Sequence, residues 1–235
     1  MSADKWIEID VEAVKNNVRE VSSRLQQGAK LIAVVKANAY GHGAIETARI
    51  LCGNGIDFLA VSFFQEAMEL RTSGIKASIL VLSPITDAGE AGQAIQNQLT
   101  LTIASDGDRE LLQRISESLD CPVRVHVKHD TGLGRFGLDR EECLSVCREI
   151  SSNRYIYLEG LYTHPADPSS YTYTQKQFQQ FQQMINRLEQ EGIQIPIKHM
   201  ANSIVFLRSP QMHLDAVRIG TLLAGQHPVG KFPRS

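Results

Sequence analysis

The sequence predicts an α/β fold in which eight parallel strands close into a (β/α)8, or TIM, barrel. Three observations carry this. Short apolar, β-branched runs recur at 31–36, 57–62, 78–82, 99–103, 122–128, 155–162, 195–200 and 215–219. Nearly continuous apolar runs are what strands buried on both faces require. Helical patterns fill the gaps between them, and strand–helix alternation implies a parallel sheet. The length, 235 residues, suits one closed barrel. An open doubly wound sheet is the alternative, but no GxGxxG follows the first strand.

Taken in order, the chain opens with "KWIEID", a strand-like segment with no place in the barrel. The expected organisation is therefore an N-terminal strand over 1–10 and a barrel over 11–235. Val11, Val14, Val18, Val21 and Leu25 step by three and four, and Gly28 follows as a stop. The first barrel strand runs to Lys36. Ser105 with Asp108, and Asp139 with Glu142, mark helix starts after the fourth and fifth strands. "YIYLEGLY", the sixth strand, is the least regular because it carries a glutamate. Thr174 with Gln177 reads as a capping box, with Phe178, Phe181, Ile185 and Leu188 on one face behind it. After the eighth strand, "TLLAGQHPVGKFPRS" has two prolines and no helical stripe.

Composition narrows the function classes. Net charge is −2, which argues against a nucleic-acid partner. No apolar run approaches the ~18 residues of a membrane span. The N-terminus lacks the pattern of a secretory signal, so the expected compartment is the cytoplasm. Cys52, Cys121, Cys143 and Cys147 form no CxxC pair. Cys143 and Cys147 share a helix face but lack further ligands nearby, so no metal is expected and all four read as free thiols.

In a barrel of this kind the chemistry sits at the C-terminal ends of the strands. Lys36 ends the first, with Tyr40 and His42 behind it. The fifth runs into Lys128, His129 and Asp130, then Arg135 between glycines. The sixth ends at Tyr162, Thr163 and His164. The seventh ends in His199, Asn202 and Ser203, the eighth in Arg218, Gly220 and Thr221. Singly, each has a bland reading: a solvated lysine, a structural histidine, a glycine turn, an N-cap. Their coincidence on one rim points to a site. A lysine at the end of a buried strand suits imine chemistry, because desolvation favours its nucleophilic amine. Backbone N–H groups near a glycine after the eighth strand offer a phosphate cradle. Lysine, cradle and arginine together suggest pyridoxal 5'-phosphate (PLP).

"AVVKANAYGHG" closely resembles the PLP-attachment motif of the alanine racemase family. "VKHDTGLGRFG", "LYTHPAD", "HMANS" and "DAVRIG" resemble four further family motifs in the family's order. The resemblance spans the chain as the family's N-terminal barrel domain. It implies interconversion of L- and D-alanine by two-base proton transfer at Cα, a route to D-alanine for peptidoglycan. Lys36 would hold PLP and act as one base, on the D-alanine side. Tyr40, Ser203, Gly220 and Thr221 would contact the phosphate. Asn202 would help place the ring. Arg218 would face the pyridine nitrogen, supported by His164. Arg135 would reach the phenolic oxygen and bear on substrate. Lys128 falls where many members carry a carbamylated lysine that orients this arginine. An arginine at the ring nitrogen, in place of the usual carboxylate, leaves that nitrogen unprotonated and suppresses transamination.

Two departures stand out. In the family the second base is a tyrosine from a C-terminal β-domain of the partner subunit in a homodimer. Without it, the expectation is a chain that binds PLP but racemises poorly, with "KWIEID" left to join the absent domain. Leu223 stands where a tyrosine is common, and "THPAD" carries Pro165. A single-domain PLP carrier would fit the length, but not "KANAYGHG" and "DTGLGRFG". A barrel with no PLP chemistry is the third reading.

Overall fold

The structure, a computed structural model, describes residues 6–227. Eight strands form one closed parallel barrel: β1 (Lys30–Val34), β2 (Phe58–Val61), β3 (Ser78–Val81), β4 (Thr100–Ile103), β5 (Val123–Lys128), β6 (Ile156–Tyr162), β7 (Ile197–His199) and β8 (Ala216–Ile219). β8 pairs back onto β1, with Ile32 opposite Arg218, and this closes the ring. Around it lie α1 (Val11–Ser23), α2 (Lys36–Tyr40), α3 (Ala44–Gly53), α4 (Phe64–Thr72), α5 (Ala88–Gln96), α6 (Asp106–Leu119), α7 (Arg140–Ser151), α8 (Tyr171–Gln190) and α9 (Ser203–Arg208). A 3-10 turn follows at Pro210–Met212.

Burial explains the apolar strands. β2 and β4 are buried at every residue, as a sheet covered by helices outside and filled inside must be. Most of the apolar core lies between barrel and helices. The interior is divided. Ile32, Val34, Phe58, Ala60, Leu80, Ile197 and Ala216 form its apolar part. Thr100, Thr102, His126, Tyr162, His199 and Arg218 are also buried, with hydrogen bonds joining Thr102 to Tyr162 and His199 to both His126 and Arg218. Among the described residues, every buried side-chain nitrogen and oxygen has a partner.

Four local expectations change. β1 stops at Val34, so Lys36 begins a separate turn rather than ending the strand. α1 is capped by Asp10, whose carboxylate accepts from the N–H groups of Glu12 and Ala13, and it ends at Ser23, before Gly28. Thr174 and Gln177 are not a capping box. Ser170 offers an earlier cap, the helix starts at Tyr171, and both residues lie buried one turn inside it. Of the expected N-terminal strand over 1–10, residues 1–5 lie outside the described residues. Residues 6–10 have no regular secondary structure, with Trp6 and Ile7 exposed and Ile9 packed against the core. The starts at Ser105 and at Asp139 with Glu142 form as expected. All four cysteines are free, and Cys143 and Cys147 are buried.

Candidate active site

A cavity of about 570 Å³ opens at the C-terminal ends of the strands. Its wall brings together nine of the ten candidates: Lys36, Tyr40, Arg135, His164, Asn202, Ser203, Arg218, Gly220 and Thr221. Lys128 lies behind the wall. Among the described residues no aspartate or glutamate lines the cavity, while Lys36, Arg135 and Arg218 do.

Lys36 is set by an unusual backbone. Ala37, Asn38, Ala39 and Tyr40 have φ of 50°, 53°, 51° and 55°. Left-handed helical geometry costs about 1–2 kcal/mol per L-residue, so other contacts must hold it. Glu66, in the first turn of α4, supplies them. One of its carboxylate oxygens accepts from Ala37 N (2.6 Å), the other from Ser62 N and Phe63 N (2.8 and 2.9 Å). Asn38 adds a second clamp, its side-chain oxygen accepting from Ala44 N at 2.7 Å. The turn carries Tyr40 to β8. A Cβ at Gly220 would collide with the Tyr40 ring, so only glycine fits there. Burial, helped by Glu66, pushes the Tyr40 phenol up, so it stays a neutral donor. Thr221 Oγ1 donates to Ser203 Oγ at 3.2 Å. The Asn202 side-chain oxygen is taken up as the N-cap of α9, accepting from Ile204 N and Val205 N.

Arg218 is 5 % exposed and has no carboxylate partner among the described residues. It donates through Nη1 to His199 Nδ1 (2.6 Å), and through Nη2 to Thr163 O (2.8 Å), Met200 O (3.1 Å) and His164 Nδ1 (3.2 Å). Burial lowers its pKa to about 10, so it remains a cation at neutral pH. His164 is pushed down to about 3 by burial and by the charges of Arg218, Arg135, Lys128 and Lys36, and it is neutral. Tyr162 is pushed up to about 12 by burial, with its hydroxyl held between Thr102 and Leu82 O.

The loop after β5 is organised by Asp130, which accepts from the N–H groups of Gly132, Leu133 and Gly134. Burial alone would raise its pKa, but these three donors hold it below the usual value. Lys128 is fully buried, donates to Phe136 O, and lies 4.3 Å from the centre of the Phe136 ring. Burial lowers it to about 8, with Arg135 and Arg218 adding to the effect against Asp130. Arg135 is exposed, with its guanidinium 4.8 Å from the same ring.

The sequence reading passed over Glu66, which looked like an ordinary acidic residue near a helix start. The buried contacts of His126 with His199 and Glu159 were also missed. Glu159's only signal was its disturbance of an apolar strand.

Chemically, the wall offers a half-buried amine, a ring of hydroxyls and a buried cation without a counter-carboxylate. That set suits a flat anionic ligand. The sequence pattern described as "Alanine racemase, N-terminal domain" matches residues 9–228. The chain is 41% identical over 226 residues to the alanine racemase of Methanococcus maripaludis, covering 95% of this chain and 60% of that protein. It is 40% identical over 229 residues to alanine racemase 1 of Oceanobacillus iheyensis, covering 96% and 60%. Its fold matches the alanine racemase of Clostridium difficile 630, solved in complex with cycloserine, with a TM-score of 0.94 at 35% identity. That match covers 98% of this chain and 64% of the other. The chain thus spans about 60% of the length of the relatives it matches.

Proposed function

The chain belongs to the alanine racemase family, matching its N-terminal domain, and from that premise we propose that it is the PLP-holding barrel of an enzyme that interconverts L- and D-alanine. The observation that carries the proposal is the wall itself: three basic side chains, hydroxyls and no carboxylate. The residues fit the cofactor. Tyr40, Ser203, Thr221 and the Gly220 backbone would hold the phosphate, with Asn202 beside them. Lys36 would attach the aldehyde carbon. Arg218 would donate to the pyridine nitrogen and Arg135 to the phenolic oxygen.

Bound there, PLP supplies the electron-withdrawing ring that makes the α-proton of an attached amino acid acidic. The chain's own groups then divide the work. Arg218 cannot give up its proton usefully, so it leaves the ring nitrogen unprotonated and favours proton exchange over transamination. His164 accepts from Arg218 and steadies it. Lys36 takes and returns the α-proton on one face. His164, neutral down to about pH 3, is a poor base, and the Tyr162 hydroxyl is held in the barrel. Among the described wall residues Lys36 is therefore the base, and inversion by these residues alone is slow.

The remaining implications of the family belong to the same proposal. They are a second base and homodimer from the full-length enzyme, pairing of residues 1–10 with a further domain, cytoplasmic D-alanine supply for peptidoglycan, and a carbamylated Lys128 steadying Arg135. The low pKa of Lys128 supports the last, since carbamylation requires a neutral amine. No helix among the described residues is long and apolar enough to cross a membrane.

The test is direct. Purified protein mixed with PLP should turn yellow, and borohydride should fix one pyridoxyl group on the peptide containing Lys36. Lys36→Ala should abolish the label. A label on another lysine, or none, would refute the assignment.

A further inference from the structure

A line of buried polar side chains leaves the cavity and runs down the barrel to its opposite end. Arg218 Nη1 lies 2.6 Å from His199 Nδ1, His199 Nε2 lies 2.7 Å from His126 Nδ1, and His126 Nε2 lies 3.3 Å from Glu159 Oε2. Both histidines are completely buried. Glu159, also accepting from Thr100 Oγ1 at 3.1 Å, lies beside Arg124 at the end where β4 and β5 begin.

The chemistry allows one arrangement of protons. A guanidinium only donates. His199 Nδ1 must therefore accept, and the proton of neutral His199 sits on Nε2. That proton is donated to His126 Nδ1, so the proton of neutral His126 sits on its own Nε2, aimed at Glu159. Adding a proton to either ring would set N–H against N–H. Burial holds His126 and His199 below their ordinary pKa, in keeping with two neutral rings. Burial raises the Glu159 carboxyl, but His126, Thr100 and Arg124 bring it below the usual value, so the chain ends on an anion.

We propose that Glu159 is a positioning residue for Arg218, acting through His126 and His199: it anchors from the far end the Nε2–H tautomers that Arg218 requires. Two features of the fold are otherwise unexplained and serve this line. The register of β5 on β6 jumps between Val125 opposite Leu158 and His126 opposite Gly160, so Glu159 is the extra residue of a bulge. A bulge re-aims a side chain, and here it brings a carboxylate to His126. At Gly160 a Cβ would lie 2.5 Å from His126 Nδ1, so the glycine makes room for the ring. Tyr162 stacks on His199 with ring centres 5.0 Å apart and planes 13° apart, which fixes the second ring. The catalytic meaning rests on the function proposed above, in which Arg218 faces the cofactor nitrogen. Glu159 would orient that cation from across the barrel without touching cofactor or substrate.

The test uses nitrogen NMR of the histidine rings and the Arg218 guanidinium in the cofactor-free 235-residue chain. His126 and His199 should each appear neutral, protonated at Nε2 and bare at Nδ1. Glu159→Leu should lose the hydrogen-bonded Nε2–H signal of His126 and shift the His199 and Arg218 signals. Glu159→Gln, whose amide oxygen can still accept, should restore them. An Nδ1–H or cationic state at either histidine in the wild type would overturn the proposal. So would His199 and Arg218 signals unmoved in Glu159→Leu, the outcome for a glutamate that merely fills space. If the leucine variant does not fold, Glu159→Ala, read by the same His126, His199 and Arg218 signals, decides. PLP titration of the same samples separates the two claims: failure of the wild type to bind PLP would refute the proposed function, while the ring tautomers decide the relay.

Discussion

Arg218 shows how much one residue can hold. Its guanidinium meets two histidines and the carbonyls of Thr163, His199 and Met200, all buried except the partly exposed His164. Arg218→Met would take a donor from each of them, although His199 O would keep the N–H of Thr163. At about 1–3 kcal/mol for each unsatisfied group, partly relieved by relaxation, the expected loss is roughly 2–4 kcal/mol, measured by urea unfolding. A loss within 0.5 kcal/mol of zero would mean the cation is not integral to the barrel. The neutral histidines give a pH dependence whose sign is fixed. His164, His126 and His199 lie below their ordinary pKa because of burial. Unfolded, they titrate near about 6.5, so the unfolded chain binds more protons below that pH. Their contribution is full above about 6.5 and is lost as pH falls toward the His164 value of about 3. Stability should drop steadily from pH 7 to 4, with a shallower slope in His164→Gln, and an equal slope would contradict the assignment. The sequence exposed His164, His199 and Arg218 because each stands at a strand end. It hid their link to Glu159, because the His199–His126 bond joins residues 73 apart and the next joins residues 33 apart, each a product of barrel closure.

At the scale of elements, the turn from Lys36 to Tyr40 departs most from sequence expectation. "KANAY" contains no glycine, and only Asn38 is of a type that takes positive φ readily. The left-handed geometry comes from tertiary contacts, chiefly Glu66 across 29 residues at Ala37. Ala37 is exposed, so its substitution reads backbone strain with little change in burial. Ala37→Gly should be neutral or stabilising by up to ~1 kcal/mol, because relief of left-handed strain outweighs added unfolded-state entropy. Ala37→Val, β-branched and far less tolerant of positive φ, should destabilise by more than ~1 kcal/mol. If urea unfolding ranks the two equally, the turn is not strained. The boundary errors have similar local causes. The expected capping box at Thr174 and Gln177 yielded to Ser170 because a helix takes the first adequate cap. Gln177 is instead drawn inward to Thr131 Oγ1 and His164 O, tying the loops after β5 and β6 together.

For the whole molecule, the barrel was legible because eight apolar runs separated by helical stripes admit few arrangements. The rim was legible because that arrangement brings the strand ends together. The polar part of the interior was not, since strand-by-strand hydropathy cannot show which inward residues face each other. Closure also places the Lys128 amine behind the cavity wall with a pKa of about 8. That depressed value means the unfolded chain holds more protons between about 8 and 10.5. Stability from this group is therefore full above about 10.5 and is lost as pH falls through about 8. Lys128→Met should flatten the rise in stability over that interval, and an unchanged rise would place its cause elsewhere. The central claim is that this barrel activates the α-proton of alanine with Lys36 as the base. Its most direct test is incubation of the 235-residue chain and PLP with each alanine enantiomer in deuterated water, followed by mass and chiral analysis. The account predicts α-deuterium in D-alanine well ahead of any inversion, reduced about 10²–10⁴-fold in Lys36→Ala. Absence of exchange with either enantiomer despite bound PLP, or exchange undiminished in Lys36→Ala, would contradict it.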